Sequence, residues 1–146
     1  MKHSADDIVH EIQAEYVTSL VPPRDALLAK MEAFAASRRE PISDPEVAAF
    51  LATTIAMTNA KRIIEVGTNI GYGAIVMARA ASQFNGHVVT IEKSHELCEI
   101  ARGYAKEAGL ASQIDVREGD ALEVLASLEE TFDLAYVDCV KEHYPR

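Results

Sequence analysis

The sequence predicts an α/β fold, a parallel sheet with helices on both faces, preceded by a helical segment. Three observations predict it. From Lys61 onward, short β-branched runs alternate with helix-period stretches, the pattern of βαβ units. The first sixty residues carry helical periodicity alone. The first strand-like run, "RIIEV", leads into "EVGTNIGYG", a glycine-rich turn of the kind that joins a strand to a helix in such sheets.

The elements follow in order. Ile8, Ile12, Tyr16 and Leu20 fall on one helical face, with Val9 and Val17 beside it. "VPPRD" breaks that helix, because tandem proline cannot continue it. Leu27, Leu28, Met31, Phe34 and Ala35 restart the period until "REPISDP" interrupts again. Asp44-Pro45-Glu46 is a helix start: an N-cap acid, proline at N1 and an acid in the first turn. Val47, Phe50, Leu51, Ile55 and Met57 follow as a stripe expected to be core. The stripe on Ile8–Leu20 is expected to be a lid, a dimer face or core. After "RIIEV" a helix is expected near Ala74–Ser82. "HVVTIE" is a second strand opened by the turn pair Asn85-Gly86. Ser94–Ala108 is a helix with Gly109 at its stop. "QIDVRE" is a third strand, Ala121–Leu128 a helix and "FDLAYVD" a fourth strand. The organisation is one domain over 1–146, with N-terminal helices over 1–60 and a βαβ core over 61–146. The sequence stops at "VDCVKEHYPR", just past the fourth strand. A bare edge there is an exposed pairing surface, so either something beyond these residues covers it or the chain is a fragment that self-associates along that strand.

Composition excludes several classes. With 14 basic and 23 acidic residues the net charge is −9, which argues against nucleic-acid or anionic-membrane partners. At 49% apolar and 25% charged the chain is globular, not disordered. "MKHSADDIVHEI" is charged where a secretory signal would be apolar, and no apolar run approaches the length of a membrane helix. Cys98 and Cys139 form no C-x-x-C pair, so zinc is not expected and a reducing cytoplasm is the default.

The glycine turn carries the chemistry. Ligands of open α/β sheets bind beyond the carboxyl ends of the strands, where this turn lies. Gly67 and Gly71 permit tight turning and close approach to backbone, and Asn69 between them tolerates left-handed geometry. The helix that follows offers free N–H groups suited to a carboxylate. Glu92 ends the second strand, 25 residues after Gly67, where an acid can accept both hydroxyls of a ribose. The turn reads E-x-G-x-N-x-G rather than G-x-G-x-x-G, and the acid Glu65 ahead of it repels a pyrophosphate but suits a cationic amine. S-adenosylmethionine, with an ammonium, a sulfonium, a carboxylate and a ribose, fits better than a dinucleotide. The plain alternative is a tight β–α turn beside a surface acid. Tyr72 either packs on the ligand or pins the loop. Asp138 ends the fourth strand at the same edge, with Lys141 three residues on. A carboxylate there can hold a hard divalent ion and a lysine beside it can act as base, or the two simply cap a turn and face solvent.

"EVGTNIGYG", "TIEKSHE", "REGDALEVL" and "DLAYVDCVKEHYP" resemble, in that order, the cation-dependent S-adenosylmethionine O-methyltransferases, which include catechol and caffeoyl-CoA O-methyltransferases. The resemblance covers about Pro41 to Arg146, and "PISDPEV" and "PPRD" are similar too. It implies a Rossmann-like class I methyltransferase fold. It implies that Gly67, Thr68, Asn69, Gly71 and Gly73 line the methionine end of the cofactor, with Glu65 near its amino group and Ile42 and Ser43 closing over it. Glu92 would bind the ribose, and Asp120 and Ala121 would border the adenine. Asp138 would be a metal ligand, for magnesium, and Lys141 the general base. The substrate implied is a catechol-like hydroxylated aromatic, methylated by in-line displacement, and the assembly implied is a homodimer. The sequence departs from the pattern at Gly73, where a serine is common, and at Val140, where many bacterial relatives carry a second aspartate. The family also continues past this point with three further strands and an Asp–Asn pair of metal ligands. Two rival readings remain: a cofactor-binding module without catalysis, and a nicotinamide-dependent oxidoreductase.

Overall fold

The structure, a computed structural model, describes residues 10–139. Ile8, Val9, Val140, Lys141 and His143 lie outside the described residues. The elements run α1 (Glu11–Ser19), α2 (Ala26–Arg38), α3 (Pro45–Thr58), β1 (Arg62–Val66), α4 (Tyr72–Ser82), β2 (His87–Glu92), α5 (His95–Glu107), β3 (Ile114–Glu118), α6 (Ala121–Ser127) and β4 (Leu134–Val137). All strand pairs are parallel, in the order β3-β2-β1-β4. That order reverses direction at β1, so the carboxyl ends of β1, β2 and β4 open a crevice at one edge.

Local chemistry explains the boundaries. Asp25 caps α2 by accepting from the Leu28 N–H at 2.9 Å, and Pro45 opens α3 at its first position. Ser94 caps α5, and Gly109, at φ 71°, lets the chain leave it. The helix after the glycine turn starts at Tyr72, two residues before the expected Ala74, because Gly71 in the left-handed region caps it directly.

Strand alternation splits the core into two layers. Ile63, Val88, Ile114 and Val116 face α2, α3, α4 and α5, packed with Met31, Leu51, Ile55, Ile75 and Met77. Ile64, Val66, Val89 and Ile91 face the other way, towards α6, Phe132 and Cys139. The α3 stripe corrects the sequence expectation. Ala48, Leu51 and Ile55 are buried, but Phe50 is 69% exposed, Met57 79% exposed, and Val47 also reaches solvent. The helix is apolar on two faces, and only one can pack on α4. On α1, Ile12, Tyr16, Val17 and Leu20 are exposed. Among the described residues, no helix is long and apolar enough to cross a membrane.

Candidate functional site

The glycine turn wraps the end of β1. Gly67 lies at φ 101° and Gly71 at φ 88°, with Asn69 left-handed between them at 48°. The Gly67 and Thr68 N–H groups donate to the Ile91 carbonyl at 3.0 and 3.2 Å, and Gly71 N–H donates to the Thr68 carbonyl at 2.9 Å. A side chain at Gly67 would run into the Asp138 carbonyl oxygen, so the turn fits between two strand ends only without one.

Glu92 is wired to this turn. Its Oε2 accepts from the Asn69 N–H at 3.0 Å, and its Oε1 accepts from Lys93 and Ser94 N–H at 3.0 and 2.9 Å. An ionised carboxylate has about four acceptor positions, so these amides leave about one for a ligand hydroxyl. That position is on Oε2, which already takes the Asn69 amide, and a second ligand hydroxyl finds none free. Gly119 N–H donates to the Glu92 carbonyl at 2.9 Å, which sets the Asp120–Ala121 corner beside it. Asp120 caps α6 through Leu122 N–H at 2.9 Å, and Ala121 packs on the second core layer.

Glu65 lies beneath the turn and is 1% exposed. Thr90, its register partner on β2, donates to Glu65 Oε2 at 2.5 Å, and the Thr68 hydroxyl bonds Thr90 at 2.5 Å. With the Thr90 proton spent on Glu65, Thr68 is the donor in that second bond. Burial pushes the Glu65 carboxyl up to about 8, the Thr90 bond opposes it, and the charges of Asp138 and Glu92 raise it further. Gly73 stands directly over this acid. A Cβ there would press on Glu65 Oε1, which gives a structural reason for glycine at a position where a serine is common in the family the sequence resembles.

Asp138 is tied in from β4. Its N–H donates to the Val66 carbonyl at 2.9 Å, and its Oδ2 accepts from the Tyr136 hydroxyl at 3.0 Å. Tyr136 also bonds Ser43 at 3.1 Å, while Ile42 packs on the first core layer. Residues from five separate stretches of chain thus meet at one sheet edge, and they match a lineage. Residues 24–146 match the O-methyltransferase family.

The chain belongs to that family.

The match extends to individual members. The chain is 34% identical over 142 residues to a catechol O-methyltransferase of Niastella koreensis, spanning 93% of this chain and 64% of that enzyme. It superposes on an O-methyltransferase from Bacillus cereus in complex with SAH, with a TM-score of 0.76 at 32% identity, covering 85% of this chain and 59% of that one. It superposes equally on the O-methyltransferase TomG from Streptomyces achromogenes in complex with SAM, with a TM-score of 0.77 at 30% identity, covering 86% and 58%. This O-methyltransferase-family chain therefore spans about six-tenths of the relatives it matches.

The residues present fit a sulfonium nucleoside. The turn exposes backbone, Glu92 keeps an acceptor position, and the charges of Asp138 and Glu92 reach the buried Glu65, an environment that calls for a cation. A divalent metal is a different matter. Among the described residues, no group of three or more His, Cys, Asp or Glu is arranged to hold one. Asp138 stands without two such partners among the described residues, and the Lys141 expected beside it lies outside them.

The structure resolves what the sequence left open at Tyr72. Its ring is buried and its hydroxyl donates to Glu32 Oε1 on α2 at 2.7 Å, so it pins the turn to the helical layer. Burial, and next the neighbouring Glu32 carboxylate, hold its phenol proton well above the ordinary range. Thr68, expected to line the ligand, is buried with its hydroxyl turned inward to Thr90. Sequence reasoning missed Thr90, Tyr136 and Glu40, whose Oε2 accepts from Asn69 Nδ2 at 3.3 Å. Thr90 had a signal: it is two residues before Glu92, hence on the same face of β2. Tyr136 had the same signal, two residues before Asp138 along the fourth strand, whereas Glu40 had none in one dimension.

Proposed function

We propose that this chain binds S-adenosylmethionine across the ends of β1 and β2 and belongs to an enzyme that methylates a hydroxyl of a catechol-like aromatic. The observation that carries the reading is the bond from Asn69 N–H to Glu92 Oε2, which joins the glycine turn to the acid at the neighbouring strand end, with the buried Glu65 below. Bound S-adenosylmethionine supplies an electrophilic methyl group on a sulfonium. Gly67, Thr68, Asn69, Gly71 and Gly73 form the wall at the methionine end through their backbone, at glycines where a side chain would collide with neighbouring protein atoms. Glu65 faces the ammonium, Glu92 accepts a ribose hydroxyl, and Asp120 with Ala121 borders the adenine. Ile42 and Ser43 cover the ligand from the α3 side. Asp138 offers one carboxylate to a magnesium ion, and Lys141 takes the proton from the acceptor hydroxyl. The described residues do not complete a site for that ion. The charges of Glu92 and Asp138 beside the turn favour this ligand over a dinucleotide, whose pyrophosphate they would repel. The reading includes a cytoplasmic homodimer, supported by the exposed apolar residues of α1 and α3 and tested by sedimentation.

Calorimetric titration with S-adenosylhomocysteine and with NAD tests the core of the proposal. The nucleoside is expected to bind and NAD is not. Glu92→Ala is expected to weaken nucleoside binding by about 10- to 100-fold, the range for hydrogen bonds to a charged group. Unchanged affinity in Glu92→Ala would overturn the assignment. Methyl transfer to catechol with magnesium, repeated with a chelator, separates turnover from a cofactor module that only binds.

A further inference from the structure

Residues 40–44, between α2 and α3, cross the mouth of the site and are fastened at both ends. At one end Glu40 accepts from Asn69 Nδ2 in the glycine turn at 3.3 Å. At the other, Ser43 meets the Tyr136 hydroxyl at 3.1 Å, from a residue 93 positions away. Tyr136 has a single hydroxyl proton, and it goes to Asp138 Oδ2 at 3.0 Å. Ser43 is therefore the donor to Tyr136, and the chain of bonds runs Ser43 to Tyr136 to Asp138 with its negative end at the strand edge. Tyr136 is well placed to anchor such a strap. It is the register partner of Glu65 on β1, it is half-buried, and its ring edge lies 3.8 Å from where a Gly73 Cβ would stand. The strap thus rests on the glycine turn, the buried acid and Asp138 together.

We propose that Tyr136 is a positioning residue whose hydroxyl fastens the 40–44 strap to Asp138 and so sets the closure of the mouth over the nucleoside. The inference rests on the proposed binding of S-adenosylmethionine at this edge. Tyr136→Phe removes the hydroxyl and keeps the buried ring, so the fold should persist. Its expected effect is a roughly three- to tenfold loss of affinity for S-adenosylhomocysteine by calorimetry, the scale of one hydrogen bond. Ser43→Ala should lose a similar factor, and the double variant should lose no more than the worse single one, because both cut the same tie. Hydrogen exchange supplies a readout that a general loss of stability would not move. The nucleoside should slow exchange at 40–44 in the wild type and fail to do so in Tyr136→Phe, while α4 amides keep their protection. If the wild type does not bind the nucleoside, the proposed function falls and the strap with it. If the wild type binds and Tyr136→Phe matches it in affinity and exchange, or if the two single losses multiply in the double variant, the strap alone is refuted.

Discussion

Replacing Glu65 with glutamine should make the protein more stable, and increasingly so as the pH rises. Glu65 has an ordinary value of 4.5 and is pushed up to about 8 in the fold, chiefly because it is buried. Between those values the folded state holds a proton that the unfolded state has released. Stability then falls with rising pH across that window, from about 4.5 to about 8, because the slope takes the sign of unfolded minus folded protons. Each unit is worth about 1.4 kcal/mol, so from about pH 5 to about pH 7 the wild type should lose about 2–3 kcal/mol through this group. The glutamine side chain has the size of the protonated acid, keeps an acceptor for Thr90 and does not titrate. Most of the remaining pH dependence is common to both proteins, so the difference between them reports on position 65. Urea unfolding at about pH 5, 6 and 7 measures it. With slopes of about 1–3 kcal/mol per molar urea, the gap between the two midpoints should widen by roughly 1 M or more across the series. Parallel midpoints across that series would refute the reasoning, because a buried acid without a compensating cation cannot titrate as it does in water.

Two further outcomes probe the same architecture. Gly67→Ala should cost at least about 3 kcal/mol, combining left-handed strain with the collision against the Asp138 carbonyl. Thermal unfolding should show it as a midpoint lower by about 6–12 °C in a chain of this size, and a drop under about 2 °C would contradict the placement of β4 against the turn. Tyr72→Phe keeps the buried ring and loses the bond to Glu32, so it should lower the midpoint by about 2–4 °C without abolishing nucleoside binding. A large loss of affinity with an unchanged midpoint would instead place Tyr72 on the ligand.

Much of the architecture follows from order along the chain. β-branched runs set against 3.6-residue periods locate the strands and helices, and Asp44-Pro45 and Gly109 mark helix boundaries through local backbone geometry, although the Asp44 side chain makes no cap bond. The turn at Gly67–Gly71 and the acid at Glu92 are legible for the same reason, since parallel strands place their carboxyl ends at one edge whatever their packing. Packing determines the rest. Phe50 and Leu51 are equally apolar letters, and the contact with α4 buries one and leaves the other in water. Glu65 reads as a carboxylate, yet burial beneath Gly73 keeps its proton on, against the bond that Thr90 donates to it. Glu92 reads as a free acceptor, yet three backbone N–H groups already occupy it. Ser43, Tyr136 and Asp138 form one chain of bonds because β4 returns beside β1, a long-range pairing that no local pattern encodes. Residue type and spacing carry the short-range terms, whereas desolvation and hydrogen bonding at the site depend on which distant segments come to lie within about 3 Å.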